Sequence, residues 1–128
     1  MEKKTLEKRL QELGIYSDYY YRKELKPLGM MLREDESLNC ILTGVHNGNR
    51  KLLAVTDRRI AIIFSGALGS GEVKVIKRPA VKSYAFHKKL FLSSVRIETS
   101  EESLEFTNTQ GGMKELFEWA MQQPFPTE

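Results

Sequence analysis

The stretch LLAVTDRRIAIIF, Leu52 to Phe64, places Asp57-Arg58-Arg59 in the middle of the most apolar segment of the chain. A chain reversal accounts for the interruption. With Asp57-Arg58 as a two-residue turn, Thr56 faces Arg59, Val55 faces Ile60, Ala54 faces Ala61 and Leu53 faces Ile62, which is a coherent antiparallel register. Side chains alternate along a strand, so Leu53, Val55, Ile60, Ile62 and Phe64 share one face, while Ala54, Ala61 and Ile63 share the other. The first set is expected to be the core face, and the charges then sit where the chain turns into water. Arg59 is expected to be solvated, as arginines in turns usually are, with a neighbouring carbonyl or carboxylate as the alternative.

Outward from this hairpin, β-branched and aromatic residues separated by turn signals continue on both sides. The strand candidates are Leu38 to His46, Lys51 to Thr56, Arg59 to Ser65, Glu72 to Arg78, Val81 to His87, Phe91 to Thr99 and Ser103 to Thr107. The connections, among them His46-Asn47-Gly48-Asn49, Gly66 to Gly71, Pro79-Ala80 and Ser100-Glu101-Glu102, are hairpin length. No crossover helix separates the strands, which excludes a parallel sheet. Tyr84, Phe86, Phe91 and Phe106 fit core positions in this pattern.

Helical signals flank the strands. Leu6, Leu10 and Leu13 lie on one face of a short helix that Gly14 would cap, and a second helix beginning at Ser17 or Asp18 is expected to end or kink at Pro27. Four of the five tyrosines, Tyr16, Tyr19, Tyr20 and Tyr21, fall in this region. They form either an aromatic recognition surface or, as rings with a polar tip commonly do, a packing face. After Gly111-Gly112, the residues Met113, Leu116, Phe117 and Ala120 recur at helical spacing, and Pro124 and Pro126 stop that helix.

A chain of 128 residues with 41% apolar content fits a single core. No apolar run approaches the roughly 18 residues that span a bilayer. The amino terminus, MEKKTLEKRLQELG, lacks the apolar core of a signal peptide, and Cys40 is the only cysteine, so a reducing, cytoplasmic setting is expected. The net charge of +3 and pI near 9.0 permit phosphate-bearing partners without demanding them.

The order of motifs resembles that of bacterial pleckstrin-homology domains of the YokE-like kind. Val55-Thr56-Asp57-Arg58-Arg59-Ile60 matches the family's hairpin, and Val95-Arg96-Ile97-Glu98-Thr99 with Leu104-Glu105-Phe106 matches its later strands, ahead of a terminal helix. The resemblance covers residues 38 to 122. It implies a mainly β member of the α+β class: a seven-stranded, antiparallel, strongly bent sheet or partly open barrel, capped at one end by the carboxyl-terminal helix. The seven strands and one helix counted from the residues agree with it. The expected organisation is an amino-terminal helical extension over residues 1–37 and a PH-like domain over 38–123.

Chemistry-bearing patterns are weak. GALGSG, Gly66 to Gly71, has the glycines of a phosphate loop, but a strand follows where a helix would have to begin, so a hairpin loop is expected. His46 and His87 are the only histidines, and no metal site, cofactor site or nucleophile elbow is expected. Cys40 and His46 lie six apart on one strand, too distant along it to pair. An enzyme is therefore not expected.

Basic residues are the candidate ligand surface. Eukaryotic PH domains that bind phosphoinositides carry spaced Lys and Arg between their first two strands; here HNGNRK offers His46, Arg50 and Lys51 without the full motif, so specific inositol-lipid recognition does not carry over. A second group runs from Lys74 to Lys89 and includes Arg78, Lys88 and Lys89. The expected site is a basic rim of His46, Arg50, Lys51, Lys88 and Lys89. The expected function is a non-catalytic binding module for a protein partner or a second copy, the apolar helix faces favouring self-association, with an anionic lipid surface as a further partner. The alternative is a small β-barrel that binds nucleic acid.

Overall fold

Seven strands follow one another along the chain: β1 (Leu38–His46), β2 (Asn49–Thr56), β3 (Arg59–Ser65), β4 (Gly71–Lys77), β5 (Val81–His87), β6 (Ser93–Thr99) and β7 (Ser103–Thr109). Helices α1 (Lys3–Glu12), α2 (Tyr16–Tyr19) and α3 (Leu25–Met31) precede them, and α4 (Lys114–Gln122) ends the fold. The computed structural model describes residues 1–19, 23–65 and 71–125, apart from the side chains of Asp18 and Ser65. Tyr20, Tyr21, Pro126 and most of the Gly66-to-Gly71 loop lie outside the described residues; Gly71 opens β4, as a hairpin loop requires.

The strands form one open antiparallel sheet in the order β4-β3-β2-β1-β7-β6-β5. The β2–β3 register is the one the Asp57-Arg58 turn dictates, with Val55 opposite Ile60, Ala54 opposite Ala61 and Leu53 opposite Ile62. Asn47 and Gly48 turn β1 into β2 with φ of 52° and 77°, the left-handed pair a tight Asn-Gly hairpin needs. The two halves of the sheet meet where β1 pairs with β7, at Val45 opposite Thr107. Gly44 permits the approach, since a Cβ there would lie 2.8 Å from Phe106 Cβ and 2.9 Å from Thr109 Cγ2.

Strand direction assigns each connection to an end. β1 and β7 run antiparallel, so the β1–β2, β3–β4 and β6–β7 connections share one end, the open end. The β5–β6 connection and the entry into α4 share the other, the helix end. The β2–β3 turn instead lies beside the start of β5 and the last turn of α4, where Arg78 N–H donates to Arg58 O.

Helix α4 packs on β1, β2 and β5, inside the bend. Met113, Phe117 and Ala120 are buried as their spacing requires, Met121 joins them, and Leu116 is half-buried. Phe117 meets Tyr84 edge-on and Phe86 at a tilt, each at 6.0 Å between ring centroids.

The opposite face departs from the expectation that only one side of the hairpin is covered. Ala54, Ala61 and Ile63 are as buried as Leu53, Val55 and Ile60. The amino-terminal helices cover them: α3 contacts β3, and Arg9 of α1 donates to Leu38 O (2.7 Å) and Asn39 Oδ1 (3.0 Å). Leu6, Leu10, Ile15, Tyr19 and Leu28 are buried in this layer, and the Tyr19 hydroxyl donates to Gln110 Oε1. Packing is thus the role of Tyr19. The apolar helix faces, taken in the sequence as surfaces for self-association, are used within the molecule. Gly14 ends α1 at φ 75°, and Ile15 N–H donates back to Leu10 O. Pro27 ends no helix; it occupies the first turn of α3, where a missing N–H removes no helical bond.

Candidate functional site

The charged turn is an internal clasp. Arg59 Nε and Nη2 donate to Glu36 Oε2 and Oε1, both at 2.9 Å, and Nη2 also reaches Met31 O. The Thr56 hydroxyl adds a 2.6 Å bond to Glu36 Oε2. The Glu36 side chain is fully buried, and the Arg59 side chain is 20% exposed. Burial alone would raise the Glu36 carboxyl, but the bonds from Arg59, Thr56 and the Arg33 amide outweigh it and hold the group below its ordinary value. Arg58 pairs with Asp35 at 2.9 Å, and Asp57 Oδ1 accepts the Ser37 amide at 3.0 Å. Of the two expectations for Arg59, the carboxylate partner is the one realised.

Arg78, counted among the basic surface residues in the sequence, is 4% exposed. Its guanidinium donates to Thr56 O (2.7 Å) and to Met121 O (2.8 Å), tying the hairpin to the last turn of α4, with Phe125 beside it. Burial pulls its pKa down, and Tyr84 and Asp57 act the other way. It serves the fold.

The expected basic rim is divided between the two ends. At the open end, His46 and Lys51 border a recess of about 460 Å³ with Lys74 and Glu72 over a floor that includes Ile62 and Phe64. His46 stacks on Phe106 at 5.1 Å, and its Nδ1 lies 3.0 Å from Glu105 O. Lys74 is paired with Glu102, which links β4 to the β6–β7 turn. Arg50 points to the other face of the sheet, donating to Thr43 Oγ1 (3.0 Å) and Asn108 O (3.3 Å). Carboxylates at the recess leave little net positive charge for a phosphate.

Lys88 and Lys89 lie at the helix end, in the β5–β6 connection. Phe91 was expected to open β6; the strand instead begins at Ser93, and Lys88 to Leu92 form a loop. Leu90 is 89% exposed, Phe91 87% and Leu92 60%. The run Leu90-Phe91-Leu92 reads like the apolar runs of β2 and β3, which are covered on both faces, so its exposure was not legible in the sequence. The loop base is held: Ser93 is buried, pairs with Thr109, and its Oγ accepts the Lys89 amide at 3.3 Å. Lys88 runs over Gly111, where a Cβ would lie 3.5 Å from its Cγ and Cε. Among the described residues neither Lys88 nor Lys89 has a side-chain ionic partner.

Burial pushes the Cys40 thiol up, which leaves it a small core hydrophobe. Among the described residues no cluster of His, Cys, Asp and Glu could hold a metal ion, and no helix is long and apolar enough to cross a membrane.

The sequence pattern described as "Bacterial PH domain" matches residues 32–118. A crystal structure of a DUF1696 family protein with a pleckstrin-homology domain from Shewanella loihica PV-4 is similar to the chain at 11% identity and TM-score 0.51, covering 77% of this chain and 91% of that one. A pleckstrin homology domain from Shewanella amazonensis SB2B is similar at 17% identity and TM-score 0.49, with coverage of 77% and 86%. No curated protein matches the chain.

Proposed function

Since the chain belongs to the bacterial PH domain family, a fold that generally serves as a binding module, we propose that it is a non-catalytic cytoplasmic module that binds a protein, foremost a second copy of itself, along the free edge of β4. The observation that carries this reading is the contrast between the two sheet edges. The β5 edge is blunted, because Pro79 and a 3-10 turn precede it and its register slips between Val81 and Ser83. The β4 edge has neither device. It pairs with β3 without a slip from Gly71 to Lys77, and its outer face exposes Val73 (49%) and Val75 (44%). Lys74, which would otherwise discourage pairing, is held by Glu102. Such an edge offers main-chain groups and apolar side chains to an added strand.

Light scattering with sedimentation velocity tests the reading. The native chain should associate as its concentration rises, and Val73→Lys with Val75→Lys should make it monomeric at an unchanged melting temperature. A native chain that stays monomeric at high concentration would sink self-association. Nothing favours the nucleic-acid alternative: Phe86 and Phe106 are buried and Tyr84 packs on Phe117, which leaves no stacking platform among them.

A further inference from the structure

We propose that the Lys88–Leu92 loop is a membrane-interface anchor that seats the helix end of the molecule on an anionic phospholipid surface. The loop stands apart from the β4 edge and from the open-end recess, so the proposal holds whether or not copies pair.

The order of residues sets the geometry. Lys88 and Lys89 follow directly on the last residue of β5, and Leu90, Phe91 and Leu92 come next, before β6 begins. A loop with cations at its base and a protruding apolar tip matches the profile of a bilayer surface, where phosphates lie outside the acyl boundary. Lysine stems can lie along that boundary with their ammonium groups at phosphate level. A tip of three consecutive large side chains, Leu90 and Phe91 nearly fully exposed, packs little on its own molecule.

Charge at this end selects the occupant. Lys114 adds a positive charge at the start of α4, with Glu115 beside it. Lys88 and Lys89 are exposed and have no ionic partner among the described residues, and an anionic surface complements them. The base of the loop is tied to the fold, since Ser93 is buried and its Oγ accepts the Lys89 amide.

The test is co-sedimentation of the full chain with phosphatidylcholine vesicles, with and without phosphatidylglycerol, at low and physiological salt. The native chain should bind the phosphatidylglycerol vesicles, more tightly at low salt, and ignore the neutral ones. Lys88→Glu with Lys89→Glu should weaken binding by about tenfold or more, given the attraction each cation contributes near an anionic surface. Leu90→Ser with Phe91→Ser should weaken it by about tenfold or more at constant salt. Lys51→Glu, at the open end, should change it little. All variants are read beside their melting temperatures, which the exposed loop positions should leave unchanged. No binding to anionic vesicles at low salt overturns the proposal, as does equal loss in the Lys51 variant. Loss of a light-scattering oligomer in the loop variants, without vesicle binding by the native chain, would assign the tip to a second copy.

Discussion

Asp57-Arg58-Arg59 and Lys88-Lys89-Leu90-Phe91-Leu92 both mix charge with apolar sequence at a turn between strands, yet they serve opposite purposes. In the first, each charged side chain has an internal partner, and the turn fastens the amino-terminal layer to the hairpin. In the second, the cations have no ionic partner among the described residues and the apolar side chains face water. Charge density at a turn therefore does not separate a fastening from a contact surface. What separates them is whether another segment arrives with complementary groups, as Asp35-Glu36-Ser37 does for the first turn and nothing described does for the second.

The largest expected effect comes from breaking the clasp. Arg59→Ala leaves the Glu36 carboxylate buried without its partner and should cost about 3–5 kcal/mol in urea denaturation, in the range for a broken buried ion pair. A loss under about 1 kcal/mol would return Arg59 to the ordinary class of surface arginines.

Acid sharpens the contrast next. The Glu36 carboxyl titrates lower in the folded state than its ordinary value of 4.5, so the stability it confers is fully present above that value. The unfolded chain takes up the proton first, and this contribution is lost as pH falls from 4.5 through the lowered folded value. Glu36→Gln should lower stability at neutral pH and flatten that part of the acid profile; an unchanged acid slope would place the titration elsewhere.

A smaller effect divides the two adjacent arginines. Arg58 meets Asp35 in a pair whose acid is 69% exposed, so Arg58→Ala should cost no more than about 1 kcal/mol by the same measurement. A cost equal to that of Arg59→Ala would show the turn acting as one unit. The smallest change is expected in the loop: Leu90→Ser, Phe91→Ser and Leu92→Ser together should leave the urea midpoint within about 0.5 kcal/mol of native, because exposed side chains bury little on folding. A clear destabilisation would mean that the tip packs on the molecule.

Much of the strand pattern was legible because alternation and turn chemistry are local. Val55 to Ile60 specified its own register, and Asn47-Gly48 its own turn. Local pattern fails where identity alone does not say which way a residue faces. Phe91 reads as strand because aromatics favour strands, and Leu90-Phe91-Leu92 resembles the apolar runs of β2 and β3 that are covered on both faces. Arg78 reads as surface because arginine usually is, whereas carbonyls of β2 and α4 take up its guanidinium. Of the rim residues, His46 and Lys51 come together, Arg50 turns to the other face, and Lys88 and Lys89 emerge at the other end.

By itself the sequence determined the strand count, the hairpin register and the terminal helix, since each depends on residues within a few positions of one another. Tertiary structure alone decided that Arg59 would meet Glu36, 23 residues away, and that helices would cover Ala54, Ala61 and Ile63. It also decided that Lys88 to Leu92 would be left uncovered. Those outcomes depend on which distant segments arrive with matching charge and shape, and a local pattern of polar and apolar residues carries no record of that meeting.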